Sequence, residues 1–139
     1  MELKDKTIIV TGASSGIGAA TALLLASKGA NVVLGARRKA ELDRLVGQIT
    51  QSNGNAVCLP GDVSDETYAA ALVRCAQQNF GGLDGAFNNA GMMGDMAPVP
   101  DMKTSNWHDV MAVNLSSSFY AAKYQIPALR ENGGGSIVF

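Results

Sequence analysis

The sequence predicts a doubly wound α/β domain: a parallel sheet of strand order 3-2-1-4-5 with helices on both faces. Two observations predict the class and a third its unity. Short apolar stretches of strand length alternate with amphipathic stretches of helical period along all 139 residues. That alternation is the pattern of βαβ units, whose strands are parallel and whose crossovers are right-handed. The first apolar stretch also runs into a glycine-rich turn that opens a helix, Gly12-Ala13-Ser14-Ser15-Gly16-Ile17-Gly18. No linker, low-complexity tract or internal repeat divides the chain, so a single domain from 1 to 139 is expected.

The elements follow in order. Residues 7–10 read as the first strand, and 17–28 as the first helix, with Ile17, Ala20, Thr21, Leu24 and Leu25 on its apolar stripe and Gly29 closing it. Residues 31–35 form the second strand; the second helix, 39–51, turns Leu42, Leu45, Val46 and Ile49 inward. A third strand at 56–59 precedes a helix at 65–80, capped by Ser64 and Asp65, with Ala69, Leu72, Val73 and Ala76 inward. The fourth strand is 83–87. A loop rich in Met and Pro, 92–103, then leads to a fourth helix capped by Thr104 or Ser105 and running to about 130. Residues 136–139 read as a fifth strand, inside which the sequence stops.

Composition narrows the function. Apolar residues make up 47% and charged residues 17%, ordinary for a soluble globular domain. A net charge of −1 gives no electrostatic case for nucleic acid or an anionic membrane surface, and no apolar run is long enough to span a bilayer. Cys58 and Cys75 follow no disulfide or metal spacing, and the first six residues do not read as a signal peptide. A reduced, cytoplasmic setting is expected. His108, the single histidine, has no Cys or carboxylate neighbours at metal-ligand spacing and reads as a surface residue, so no metal site is expected.

The strand, glycine turn and helix start together make an anion cradle. Glycines let backbone N–H groups approach a phosphate, and the helix dipole favours negative charge there. The spacing G-x-x-x-G-x-G differs from the dinucleotide fingerprint G-x-G-x-x-G, and the Gly-Lys-Ser/Thr ending of a P-loop is absent. After the second strand, where an NAD binder places an acidic residue for the ribose hydroxyls, the sequence reads Leu34-Gly35-Ala36-Arg37-Arg38-Lys39. Three cations at a helix start oppose its dipole. A 2′-phosphate would offset that cost, so Arg37 and Arg38 point to NADP (NADPH) in preference to NAD; a solvated basic turn is the plainer reading.

Thr11-Gly12-x-x-x-Gly16-Ile17-Gly18, with Asn88-Asn89-Ala90-Gly91 and Val113-Asn114-Leu115, resembles the short-chain dehydrogenase/reductase family. The resemblance implies a Rossmann-type domain and hydride transfer between a nicotinamide and an alcohol or carbonyl substrate. It implies that Gly12, Ser14, Ser15, Gly16, Ile17 and Gly18 cradle the cofactor. Asp62 would accept from the adenine amino group, Val63 would pack beside the ring, and Asn88, Ala90 and Gly91 would form the wall near the adenosine ribose. Asn114 would belong to the catalytic tetrad, holding a water near the active-site lysine. Local structure offers plainer readings: Asp62 organises the turn before the third helix, the asparagines and Gly91 bend the chain, and Asn114 is satisfied by nearby backbone.

The fourth helix is apolar on two faces. Val110, Val113, Asn114, Ser117 and Ala121 form one stripe; Trp107, Met111, Leu115, Phe119, Ala122 and Ile126 form the other. The second needs a partner, and the resemblance implies a dimer interface there. The exposed fifth strand is a second expected route to self-association.

The family's chemistry also needs a Ser after the fifth strand and a Tyr-x-x-x-Lys on the next helix. Four residues beyond Tyr68, Tyr120 and Tyr124 stand Leu72, Tyr124 and Ala128, so the motif is missing. The resemblance thus covers the family's N-terminal, cofactor-binding part. The chain reads as C-terminally truncated and catalytically incompetent alone. A non-catalytic nucleotide-binding or regulatory module is the alternative. A phospho-receiver would need an acidic cluster after the first strand, where Thr11-Gly12 stands instead.

Overall fold

The computed structural model describes residues 3–139. Its elements are β1 (Thr7–Thr11), α1 (Gly16–Ser27), β2 (Asn31–Ala36), α2 (Lys39–Gln51), β3 (Asn55–Pro60), α3 (Glu66–Phe80) and β4 (Gly85–Asn88). After a short 3₁₀ turn (Val99–Asp101) come α4 (Thr104–Met111), a π-helical segment (Ala112–Ser116), α5 (Ser117–Glu131) and β5 (Ser136–Val138). All neighbouring strands pair in parallel, in the order β3-β2-β1-β4-β5.

The pleat of the sheet divides the core. Val10, Val32 and Leu34 face α1 and α2, where Leu42, Leu45 and Ile49 meet them. Ile9, Val33 and Ala86 face the other way, against Leu72, Val73 and Ala76 of α3 and Ala128 and Leu129 of α5. Alternate side chains along β1 and β2 therefore enter opposite layers, as a strand covered on both faces requires.

Helix α1 corrects one expectation. Its buried residues are Gly18, Ala22 and Ala26, whereas Ile17 is 71% and Leu24 60% exposed. The helix lies so close to β1 and the glycine turn that only small residues fit beneath it, and apolarity on all sides hid which face was inward. The caps differ too. Asp65 caps α3 by accepting from the Thr67 N–H at 2.8 Å, while Ser64 turns back to Asp62. Lys103 occupies the cap position of α4 and makes no side-chain bond, so neither Thr104 nor Ser105 is the cap.

The predicted fourth helix is not one regular helix. A π-helical segment, Ala112–Ser116, interrupts it with Asn114 at its centre. The inserted residue rotates the faces on either side, so the two predicted stripes do not run straight. Asn114 is itself exposed rather than a core position.

Candidate active site: a cleft at the strand C-terminal ends

The C-terminal ends of β1, β2, β3 and β4 surround a cleft of about 400 Å³. Open α/β sheets bind ligands at this end, where the strand order reverses. Gly12, Ser14 and Ser15 form one wall, Arg37 and Arg38 the next, then Asp62 and Val63, and Ala90 and Gly91 close it. Nine predicted residues thus meet in one place. Gly16, Ile17 and Gly18 stand just outside it, in the first turn of α1.

The glycine turn is shaped by close approach. Gly12 has φ +66°, a left-handed conformation that costs glycine nothing. A Cβ on Gly18 would lie 2.3 Å from the Gly12 carbonyl oxygen and 2.7 Å from Asn89 Nδ2, so the helix can start here only with glycine. The Ala13 N–H donates to the Gly35 carbonyl at 3.1 Å, tying the turn to β2. Ser15, at the cap position, makes no side-chain bond to the helix. The first amides of α1 therefore keep their donors, as an anion site requires.

The cationic wall comes from the turn between β2 and α2. The Arg38 guanidinium crosses to the glycine turn and donates to Ser14 Oγ at 3.0 Å. Arg37 lies near enough to Asp62 to stabilise its carboxylate, although the larger causes are local. The Ser64 N–H at 2.9 Å and its hydroxyl at 2.8 Å hold the Asp62 carboxyl below its usual value. Both bonds fall on Oδ1, leaving Oδ2 unbonded among the described residues. Asp62 thus does organise its turn and keeps an acceptor for a ligand.

Two asparagines share the fourth wall unequally. Asn89 lines the cleft and donates from Nδ2 to the Thr11 carbonyl at 3.2 Å, while Thr11 Oγ1 accepts from the Ala90 N–H at 3.2 Å. Asn88 turns away and exchanges two bonds with the buried Gln125, at 2.8 and 2.9 Å. Asn88 is a tie between β4 and α5, and Asn89 is the residue that faces the ligand space. A doubled Asn in a motif does not say which side chain the strand pleat turns inward.

Asn114 lies outside the cleft lining. Its Oδ1 accepts from the Met92 N–H at 2.8 Å and its Nδ2 donates to the Met92 carbonyl at 2.7 Å. Met92 and Val113 do line the cleft, so the π-helical segment reaches it through them. Sequence reasoning also missed Tyr68. Its ring, 6% exposed, packs beneath Gly61, and its hydroxyl donates to the Leu59 carbonyl at 2.5 Å, supporting the turn that carries Asp62. Burial raises that phenol well above its ordinary range. An aromatic on a helix otherwise inward at Leu72 and Val73 was the available signal.

Among the described residues no three His, Cys, Asp or Glu side chains group as metal ligands, and no helix is long and apolar enough to cross a membrane. Cys58 and Cys75 are free and half-buried.

A family model described as short chain dehydrogenase matches residues 6–139. The chain belongs to that family. It is 36% identical over 137 residues to a cyclohexanol dehydrogenase of Acinetobacter, covering 99% of this chain and 55% of the relative. An uncharacterized oxidoreductase of Staphylococcus aureus is 38% identical over 136 residues, covering 98% of this chain and 58% of that protein. The crystal structure of a 3-ketoacyl-ACP reductase from Sinorhizobium meliloti superposes with a TM-score of 0.91 at 40% identity, over 94% of this chain and 51% of that one. The chain therefore spans about half the length of the relatives it matches. Membership of the short-chain dehydrogenases implies a nicotinamide cofactor, and the cleft fits one: an open amide cradle, a cationic wall and a free carboxylate oxygen in sequence along its length.

Proposed function

We propose that these 139 residues are the cofactor-binding part of an NADP-dependent oxidoreductase that moves hydride between nicotinamide and an alcohol or carbonyl carbon. The cofactor supplies the hydride. This chain's residues bind and orient it. The amides of Gly16, Ile17 and Gly18 receive the pyrophosphate, the Asp62 carboxylate accepts from the adenine amino group, and Val63 packs beside the ring.

The observation that carries the NADP reading is the bridge from Arg38 to Ser14. It sets a guanidinium and a hydroxyl side by side at the end of β2, with Arg37 adjacent and no carboxylate in the segment from Leu34 to Lys39. A 2′-phosphate there gains two charge-assisted bonds. At roughly 1.5 kcal/mol each they give NADP a preference of about a hundredfold. Asn114 serves the family's catalytic set, but Tyr-x-x-x-Lys is not among these residues. The 139-residue chain by itself therefore binds cofactor without turnover.

Fluorescence titration with NADPH beside NADH tests this. Saturable binding about a hundredfold tighter for NADPH supports it, and equal affinities overturn it. Self-association belongs to the same proposal. Trp107 (58%), Leu115 (59%) and Phe119 (64%) are exposed along the helical stretch from α4 into α5, and β5 presents an open edge.

A further inference from the structure

The backbone between the cleft and α4 is gripped at two points, and the second grip has no part in the family motif set out above. Asn114 holds Met92, as described. Asn106, in the first turn of α4 and 8% exposed, does the same to Asp95: its Oδ1 accepts from the Asp95 N–H at 2.7 Å and its Nδ2 donates to the Asp95 carbonyl at 3.3 Å. Between the grips, Gly94 has φ +71°, and a Cβ there would lie 2.4 Å from Asn106 Oδ1 and 2.5 Å from Val110 Cγ2. The segment is thus pressed onto α4 where Asn106 takes hold of it. Amide side chains that take both backbone groups of one residue fix that residue's position and orientation, whatever side chain it carries.

We propose that Asn106 is a positioning residue for the cofactor cleft. The cleft wall at Met92 is the near end of the four-residue span Met92–Asp95. Asn114 alone fixes one point of that span and leaves it free to swing; Asn106 removes the swing. The wall is then held without packing of its own, since Met93 is 82% and Met96 86% exposed. Met side chains are adaptable, so the clamp sets a fixed backbone edge carrying pliable apolar groups beside the cleft.

The inference rests on the cleft's reading as a cofactor site, and the test separates the two. Asn106→Leu removes both bonds at similar size, while Asn106→Asp keeps the oxygen that accepts from the Asp95 N–H. Amide hydrogen exchange on the free 139-residue chain reads the clamp. In Asn106→Leu, exchange at Asp95 and also at Met92 is expected to speed up at least tenfold, with β1 and β2 amides unchanged. NADPH affinity is expected to fall about five- to tenfold. Asn106→Asp, which sets a carboxylate oxygen against the Asp95 carbonyl in place of the donated bond, is expected to speed Asp95 exchange and weaken NADPH binding by less than Asn106→Leu does. If Asn106→Leu does not fold, Asn106→Ser takes its place. Fast exchange confined to Asp95, or unaltered NADPH affinity in a folded leucine or serine variant, overturns the proposal. If the unaltered chain fails to bind NADPH, the cofactor reading falls; undisturbed Met92 protection in the variant would then sink the clamp separately.

Discussion

Strand β2 and strand β5 belong to one sheet, yet β2 is buried from Val32 to Ala36 while β5 is exposed at Ser136 and Val138. The difference lies in their neighbours. β2 has β1 and β3 at its sides and helices on both faces; β5 pairs with β4 alone. The helices repeat the contrast. The apolar stripe of α2 is closed, with Leu42 fully buried, whereas Leu115 within the π-helical segment and Phe119 just after it face outward. In the β1–β3 half the chain satisfies its own apolar surface, so a substitution there is read as stability. From 104 onward only the inner residues, such as Ala128 and Leu129, belong to the core, and a substitution on the outer face at Trp107, Leu115 or Phe119 is read as association.

The largest expected effect tests that division. Leu42→Ala leaves a cavity under the sheet and is expected to cost about 2–5 kcal/mol, measured by urea unfolding. Leu115→Ala should change monomer stability by less than about 0.5 kcal/mol. Equal costs would break the comparison. Next comes the cationic wall. Replacing Arg37 and Arg38 together by Ala is expected to lower NADPH affinity about a hundredfold and leave NADH affinity unchanged, both by fluorescence titration. Phe119→Asp is expected to shift the chain toward monomer in sedimentation velocity without lowering its unfolding midpoint by more than a few degrees. A monomeric unaltered chain at high concentration would remove the association reading.

The smallest effect concerns acid. Asp62 has its carboxyl lowered from 3.8 by Ser64. A depressed folded value means that its contribution is complete above the unfolded value and is lost as pH falls through the folded one. The unaltered chain should therefore lose slightly more stability below about pH 4 than Asp62→Asn does. Parallel acid limbs would show that the Ser64 bonds contribute nothing. Because the carboxylate is exposed, the difference will be small.

The sheet order was legible from strand and helix period, and the glycine turn from its spacing. Arg37 and Arg38 stood out as cations at a helix start, and the resemblance to the short-chain dehydrogenases pointed to Asp62, Val63, Ala90 and Gly91. Leu42, Leu45 and Ile49 followed from spacing alone. What was not legible depended on three-dimensional choice. Asn88 and Asn89 carry the same side chain, and only the way the chain leaves β4 decides that Asn89 faces the cleft. Ile17 and Leu24 match a helical stripe as well as Ala22 and Ala26 do, and only the close packing of α1 on the sheet turns the small residues inward. The π-helical turn at Asn114 has no composition signal, because nothing in the sequence marks the extra residue in that turn.

The central claim, that the cleft reads a 2′-phosphate through Arg37, Arg38 and Ser14, is tested most directly without nicotinamide. Calorimetric titration of the 139-residue chain with adenosine 2′,5′-bisphosphate and with adenosine 5′-monophosphate isolates that one group. The bisphosphate is expected to bind about a hundredfold more tightly. Equal affinities for the two would contradict the account.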